Sequence, residues 1–246
     1  MKEYKIKSKT YTKYKSRYIK ISRNQFRIME SLFIDGSNEK KYYDSKNELR
    51  FSEHSGLLDF GKSTLQKIVI NAKQNISDNL DDNILLPENM NDAYDYEYFF
   101  HTHPKTPDIG SRIDDGILYE FPSVSDLFHF AEHYNEGITQ GSIIIAPEGL
   151  YIIKSIDSRK KIMINDNNFN NLEIAFNEIH HKAVKKYASN FSHNRFYKNI
   201  INDKKFINLI NSEIKHLNLK IFYKPREFIN KKWIINDLYL KVNPIE

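Results

Sequence analysis

Apolar positions recur along the chain in two rhythms. Tyr18-Ile19-Lys20-Ile21 alternates and predicts a short strand. Ser22 can cap the helix that follows, where Phe26, Met29, Leu32 and Phe33 fall on one helical face. Asp35-Gly36-Ser37-Asn38 predicts its stop, and the charged residues 38–51 a hairpin-like insertion. Leu57-Leu58 and the group Leu65, Ile68, Val69 and Ile70 predict two buried strands around a turn at Gly61-Lys62. Residues 71–92, rich in Asn and Asp and containing Pro87, read as a long loop. Asp95 to Phe100 leads into a further strand. After an irregular stretch over 105–122, Leu127, Phe130, Ala131 and Tyr134 define a helix that Gly137 ends. Gln140–Ala146 and Leu150–Lys154 form an apolar hairpin around Pro147-Glu148-Gly149.

From Asp166 the pattern changes. Helical periodicity runs through Leu172, Ile174, Ala175, Phe176, Ile179 and Ala183, and again through Phe206, Ile207, Leu209, Ile210 and Ile214. Leu219–Tyr223 and Trp233–Val242 read as strands. The layout is a basic arm over 1–17, an α/β domain over 18–156 and an α+β extension over 157–246. The pattern leaves open whether that extension packs on the core or stands apart.

Composition narrows the chemistry. The 246 residues carry 40% hydrophobic and 13% aromatic residues, enough for a core and too many for wholesale disorder. No apolar run approaches a membrane span. There is no cysteine, so disulfides and thiolate metal sites are excluded. That fits an intracellular protein, in the cytoplasm or nucleus. Net charge is +5. Lys2, Lys5, Lys7, Lys9, Lys13, Lys15, Arg17 and Lys20, interleaved with Tyr4, Tyr11, Tyr14 and Tyr18, make the arm a candidate for nucleic-acid contact. A solvated arm or edge strand accounts for the same residues and is the preferred reading.

The chemically loaded stretch is Phe99-Phe100-His101-Thr102-His103-Pro104. Strand residues i and i+2 share a face, so His101 and His103 aim two imidazoles at one point. Pro104 cannot donate to a sheet ladder and marks the strand end. Downstream, Pro122-Ser123 opens a helix, and Asp126 at its third position completes a capping box. Without cysteine, a zinc site must be built from imidazole and carboxylate ligands.

Taken in order, Glu53-x-x-Gly56-Leu57-Leu58, His101-x-His103-Pro104 and Ser123-x-x-Asp126, followed by an apolar strand, resemble the JAMM metalloproteases, the metal-competent MPN domains. The resemblance covers residues 19–156. It implies a mixed β-sheet flanked by helices, with Zn²⁺ held by His101, His103 and Asp126. It implies that Glu53 is the general base and that Ser123 donates to the oxyanion. It further implies cleavage of a peptide or isopeptide bond after the C-terminal glycine of ubiquitin or a ubiquitin-like protein. A non-catalytic MPN-like interaction module is the alternative.

One spacing departs from the family. The serine usually follows the second histidine by about eight positions; Ser123 follows His103 by twenty. Ser111-Arg112-Ile113-Asp114 stands at the usual distance, but Asp115-Gly116 makes a poor helix interior. Asp126 is preferred over Asp114 because a ligand there needs a helix start. Glu97 lies roughly 13 Å from His101 along its strand and is too far to act on it. His129 and His133 could support the metal ligands from behind or stand as ordinary exposed histidines, which is the preferred reading; the pair His180-His181 reads as a polar helix face, and Arg112, Asp114 and Asp115 in the inserted loop could touch substrate or form a lid.

Overall fold

A computed structural model describes residues 17–38, 42–43, 47, 49–50, 53–61, 63–70, 96–103, 112–187 and 193–243. The expected basic arm up to residue 16, the loop at 71–92 and Ser111 lie outside the described residues.

The first half contains β1 (Arg17–Ile21), α1 (Arg23–Asn38), a small hairpin of β2 (Tyr42–Tyr43) and β3 (Leu49–Arg50), then β4 (Ser55–Phe60), β5 (Leu65–Ile70) and β6 (Tyr98–Thr102). A 3-10 turn at Ile113–Asp115 precedes α2 (Val124–Glu136), β7 (Gly141–Ile145) and β8 (Gly149–Ser155). The rest comprises α3 (Asp166–Tyr187), α4 (His193–Asn202), α5 (Lys205–Ile214), β9 (Leu219–Pro225), β10 (Glu227–Ile229), β11 (Lys232–Ile234) and β12 (Leu238–Val242).

Six strands form one mixed sheet in the order β5-β4-β6-β7-β8-β9. Only β6 and β7 run parallel, and α2 lies in the connection between them. The other neighbours are antiparallel. One face buries Phe99, Ile144, Tyr151 and Ile153 against α2, α3 and α5. The opposite face buries Tyr98, Phe100, Ile143, Ile145 and Leu150 against Phe26, Met29 and Phe33 of α1 and the inward residues of a β1–β12 ribbon. Helices on both sides of a sheet let its central strands bury both faces, as the unbroken burial of β6 and β7 requires.

The segment after 156 completes this core. β9 pairs with β8 through seven residues, and β12 pairs with β1 from the other end of the chain. Leu172, Phe176, Phe206, Ile210 and Leu219 enter the same cluster as Phe99 and Leu127.

Some local expectations differ. α1 continues through Gly36 to Asn38. A helical glycine costs only about 1 kcal/mol relative to alanine, and burial of Phe26, Met29 and Phe33 outweighs it. β5 is mostly exposed, as an edge strand. The polar run before Asn202 forms α4, which buries Ile200 and Ile201. The stretch 233–242 divides into β11 and β12, with Asp237 between them accepting from the Arg23 amide.

Candidate metal centre

The strand β6 aims the histidines. Its alternation puts Phe99 and His101 on the α2 side and Tyr98 and Phe100 on the other. His103 follows immediately after the last strand residue, and its amide donates to the Ile145 carbonyl at 2.8 Å, holding the strand end against β7.

The carboxylate comes from α2. Ser123 is the N-cap: its hydroxyl oxygen accepts from the Asp126 amide at 3.1 Å, while Asp126 Oδ2 accepts from the Ser123 amide at 2.6 Å. The Ser123 hydroxyl also donates to Oδ2 at 2.8 Å. The capping box thus serves a second purpose, fixing the carboxylate so that its other edge faces β6.

The three groups converge. His101 Nε2 lies 3.0 Å from Asp126 Oδ1, His103 Nε2 lies 3.4 Å from Asp126 Oδ2, and the two Nε2 atoms are 3.0 Å apart. Tetrahedral zinc with bonds of 2.0–2.1 Å separates its ligand atoms by about 3.3–3.4 Å. The edges, measured to the two Asp126 oxygens, lie near that size, and one ligand atom from each residue lies within 4.8 Å of the others, so the donor set fits a divalent ion in chemistry and approximate spacing. His101, His103 and Asp126 form a group able to hold a metal. His103 Nδ1 lies 3.3 Å from the Glu120 carbonyl. A carbonyl only accepts, so Nδ1 carries the proton there and Nε2 is left to face the centre. His101 and Asp126 are buried, and His103 nearly so.

Charge follows from this packing. Burial opposes protonation of His103, but the hydrogen bond and negative charge of Asp126, aided by Glu53 and Glu120, carry its pKa up to about 9. Burial likewise disfavours the Asp126 anion, yet the two histidines hold its pKa well below the ordinary carboxylate range. The pocket therefore demands positive charge, and a proton and a metal ion compete for it.

Glu53 follows from register. Ser55 pairs with His101, so extending β4 by two residues sets Glu53 opposite His103 on the same face. The His54 carbonyl accepts from the Thr102 amide at 2.9 Å, continuing the ladder in that direction. Gly56 explains the glycine of the motif: a Cβ there would meet the Val69 carbonyl oxygen at 2.2 Å and the Phe100 ring at 2.5 Å.

Glu97 is remote in role as well as in position. It accepts from the Phe60 amide at 3.1 Å, and burial pushes its pKa up to about 7. Asp114 is exposed on the 3-10 turn and contributes no atom to the converging group.

Three expectations are corrected. His129 and His133 do not lie on the surface; they pack against Phe99 with ring centroids 5.4 and 5.5 Å away. Burial, the charges of His133 and His101, and a smaller opposing effect of Asp126 leave the His129 pKa at about 3. His180 is partly buried, 5.4 Å from the Phe121 ring, because Phe121 reaches under α3. Arg112 is not free for substrate: its Nη1 donates to both Glu120 oxygens at 2.9 and 3.0 Å.

Glu120 had no signal in the sequence. It matters through its backbone carbonyl, which any residue would supply, and through a buried carboxylate neutralised by Arg112.

Among the described residues, no helix is long and apolar enough to cross a membrane. No protein-family model and no solved structure matches the chain. The chain is similar to an uncharacterized protein of Acanthamoeba polyphaga mimivirus, with 34% identity over an alignment of 232 residues that covers 91% of this chain. It spans 65% of that relative's length.

Proposed function

We propose that the chain is a zinc-dependent peptidase or isopeptidase of JAMM type, acting on ubiquitin or a ubiquitin-like conjugate. The observation that carries this reading is the convergence of His101, His103 and Asp126 at edges of 3.0 to 3.4 Å. These residues would hold the ion. A zinc there supplies Lewis acidity and lowers the pKa of water from 15.7 towards about 7.

The chain's own groups have defined tasks. Glu53, opposite His103, takes a proton from the attacking water and delivers it to the departing amine. Ser123 orients Asp126 in the ground state, since its single hydroxyl proton already points at Oδ2. Donation to the oxyanion requires that bond to be exchanged for one to substrate. The Glu120 carbonyl keeps the His103 tautomer that leaves Nε2 free.

The test is a purified full-length protein, assayed for bound zinc and for cleavage of ubiquitin-like conjugates and peptides. Zinc and turnover are expected together. Glu53→Gln should retain zinc and lose about 10²–10⁴ in rate, the usual scale of general base catalysis. A zinc-loaded protein inert towards every such conjugate would remove the peptidase assignment.

A further inference from the structure

On the face of the sheet away from the metal centre, a groove of about 490 Å³ lies between the β8–β9 edge and the β1–β12 ribbon. Tyr18, Phe222 and Tyr239 line it and are 71%, 46% and 58% exposed. Three large aromatic side chains left this open around one groove are unusual, because each forgoes the gain of burying a large apolar ring. Lys154 and Lys241 also line it, and among the described residues no Asp or Glu does.

Lys154 is the informative residue. Its Nζ donates to the Tyr98 hydroxyl and, at 3.1 Å, to the Lys241 carbonyl. Among the described residues no carboxylate pairs with it. Burial, with the charge of Lys241 adding, brings its pKa down to about 8. Among the described residues this partly buried ammonium faces neutral oxygens, which leaves a positive potential in the groove. The ribbon repeats the pattern: across β1 and β12, Tyr18 opposes Lys241 and Lys20 opposes Tyr239, so rings and ammonium groups alternate. Lys20 is neutralised by Asp237, while Lys220 lies 4.9 Å from the Phe222 ring centroid.

We infer that this groove binds single-stranded nucleic acid, with bases stacked on Tyr18, Phe222 and Tyr239 and phosphates held by Lys154 and Lys241. Stacking accepts any base, and lysines contact phosphate as point charges, so the site has no sequence preference built into it. The rings line an open groove flanked by two strands, which suits a strand running through rather than one enclosed nucleotide. Tyr134, near the end of α2 away from Asp126, also lines the groove, but none of the lining residues belongs to the His101–His103–Asp126 group, so the inference does not rest on the metal chemistry.

The probe is a labelled single-stranded oligonucleotide of about twelve nucleotides, followed by fluorescence anisotropy with full-length protein at two salt concentrations. Salt-weakened binding is expected. Tyr18→Ala and Tyr239→Ala, at exposed positions that leave the core intact, should each weaken it roughly fivefold or more. Lys241→Ala should reduce the slope of log affinity against log salt by about 0.7. Asp126→Ala should bind as wild type. The inference is overturned by wild-type protein that does not bind the strand, or by a mononucleotide binding as tightly as the strand. It is equally overturned if the groove variants bind normally while Lys-to-Gln changes at Lys2, Lys5, Lys7 and Lys9 abolish binding, which would assign the contact to the basic arm.

Discussion

Along β6, Phe99 and His101 point to α2, while Tyr98 and Phe100 point to α1 and the ribbon. The two sides carry opposite electrostatics. On the α2 side, Asp126, Glu53 and Glu120 surround two imidazoles and raise the proton affinity of His103. On the other side, the Tyr98 hydroxyl meets Lys154, whose proton affinity is lowered by burial, with the charge of Lys241 adding. One pocket is ringed by carboxylates, while the other, among the described residues, is lined by lysines and no carboxylate. The two-residue period of a strand allows this, since adjacent side chains enter separate environments with the backbone between them.

Asp126→Ala breaks the contrast most sharply. It removes one of the three proposed ligands and should lower zinc affinity by more than about 100-fold, beyond the loss usual for a residue that only supports a ligand. Metal analysis after dialysis reads this directly, and oligonucleotide binding on the far side should be untouched. Loss of both activities together would mean that the two faces are not independent.

The metal-free protein offers a pH test of the same asymmetry. His103 has a folded pKa of about 9, above its unfolded value of about 6.5. Its proton stabilises the fold fully below pH 6.5, by up to about 3 kcal/mol, and this contribution is lost as pH rises through 9. Urea midpoints of the apoprotein should therefore fall between pH 6.5 and 9, and Asp126→Asn should flatten the trend. Zinc should bind more tightly over the same interval, because fewer protons compete.

Gly56→Ala tests the partition between the faces. The added methyl would press on the Phe100 ring and the Val69 carbonyl, and should cost about 1–3 kcal/mol in thermal or urea unfolding. If β4 shifts to relieve the clash, Glu53 moves with it and activity falls further than stability. Unchanged stability would show that this close approach is not needed.

Ser123→Ala is the mildest change. Loss of the cap should cost about 1 kcal/mol. The freed Oδ2 edge should weaken zinc by roughly tenfold, as for other groups that orient ligands. An effect on stability with none on zinc would confine the capping box to helix initiation.

The strand-period argument was enough to put His101 and His103 on one face, and the capping-box spacing was enough to open α2 at Ser123. Both are local: a repeat of two residues and a separation of three are fixed by backbone geometry whatever surrounds them. The choice of Asp126 over Asp114 rested on the same local ground; in the structure Asp126, and not Asp114, stands beside the two histidines. The burial of His129, His133 and His180 was not legible, because a histidine on a helix face carries no mark of what will pack over it. Glu120 was invisible for a stronger reason, since its contact with His103 uses a backbone atom common to every residue.

The order of β4, β6 and β7 in the sheet, and hence the meeting of Glu53 with His103, depends on register between segments separated by a long stretch of chain. The groove depends on contacts longer still: Tyr18 and Lys241 are paired neighbours from opposite ends of the chain. By itself the sequence determined the elements and the residue types able to hold a metal. Only the tertiary structure decided which of them meet, because pairing between distant strands is set by burial of both sheet faces at once, a condition that no local window contains.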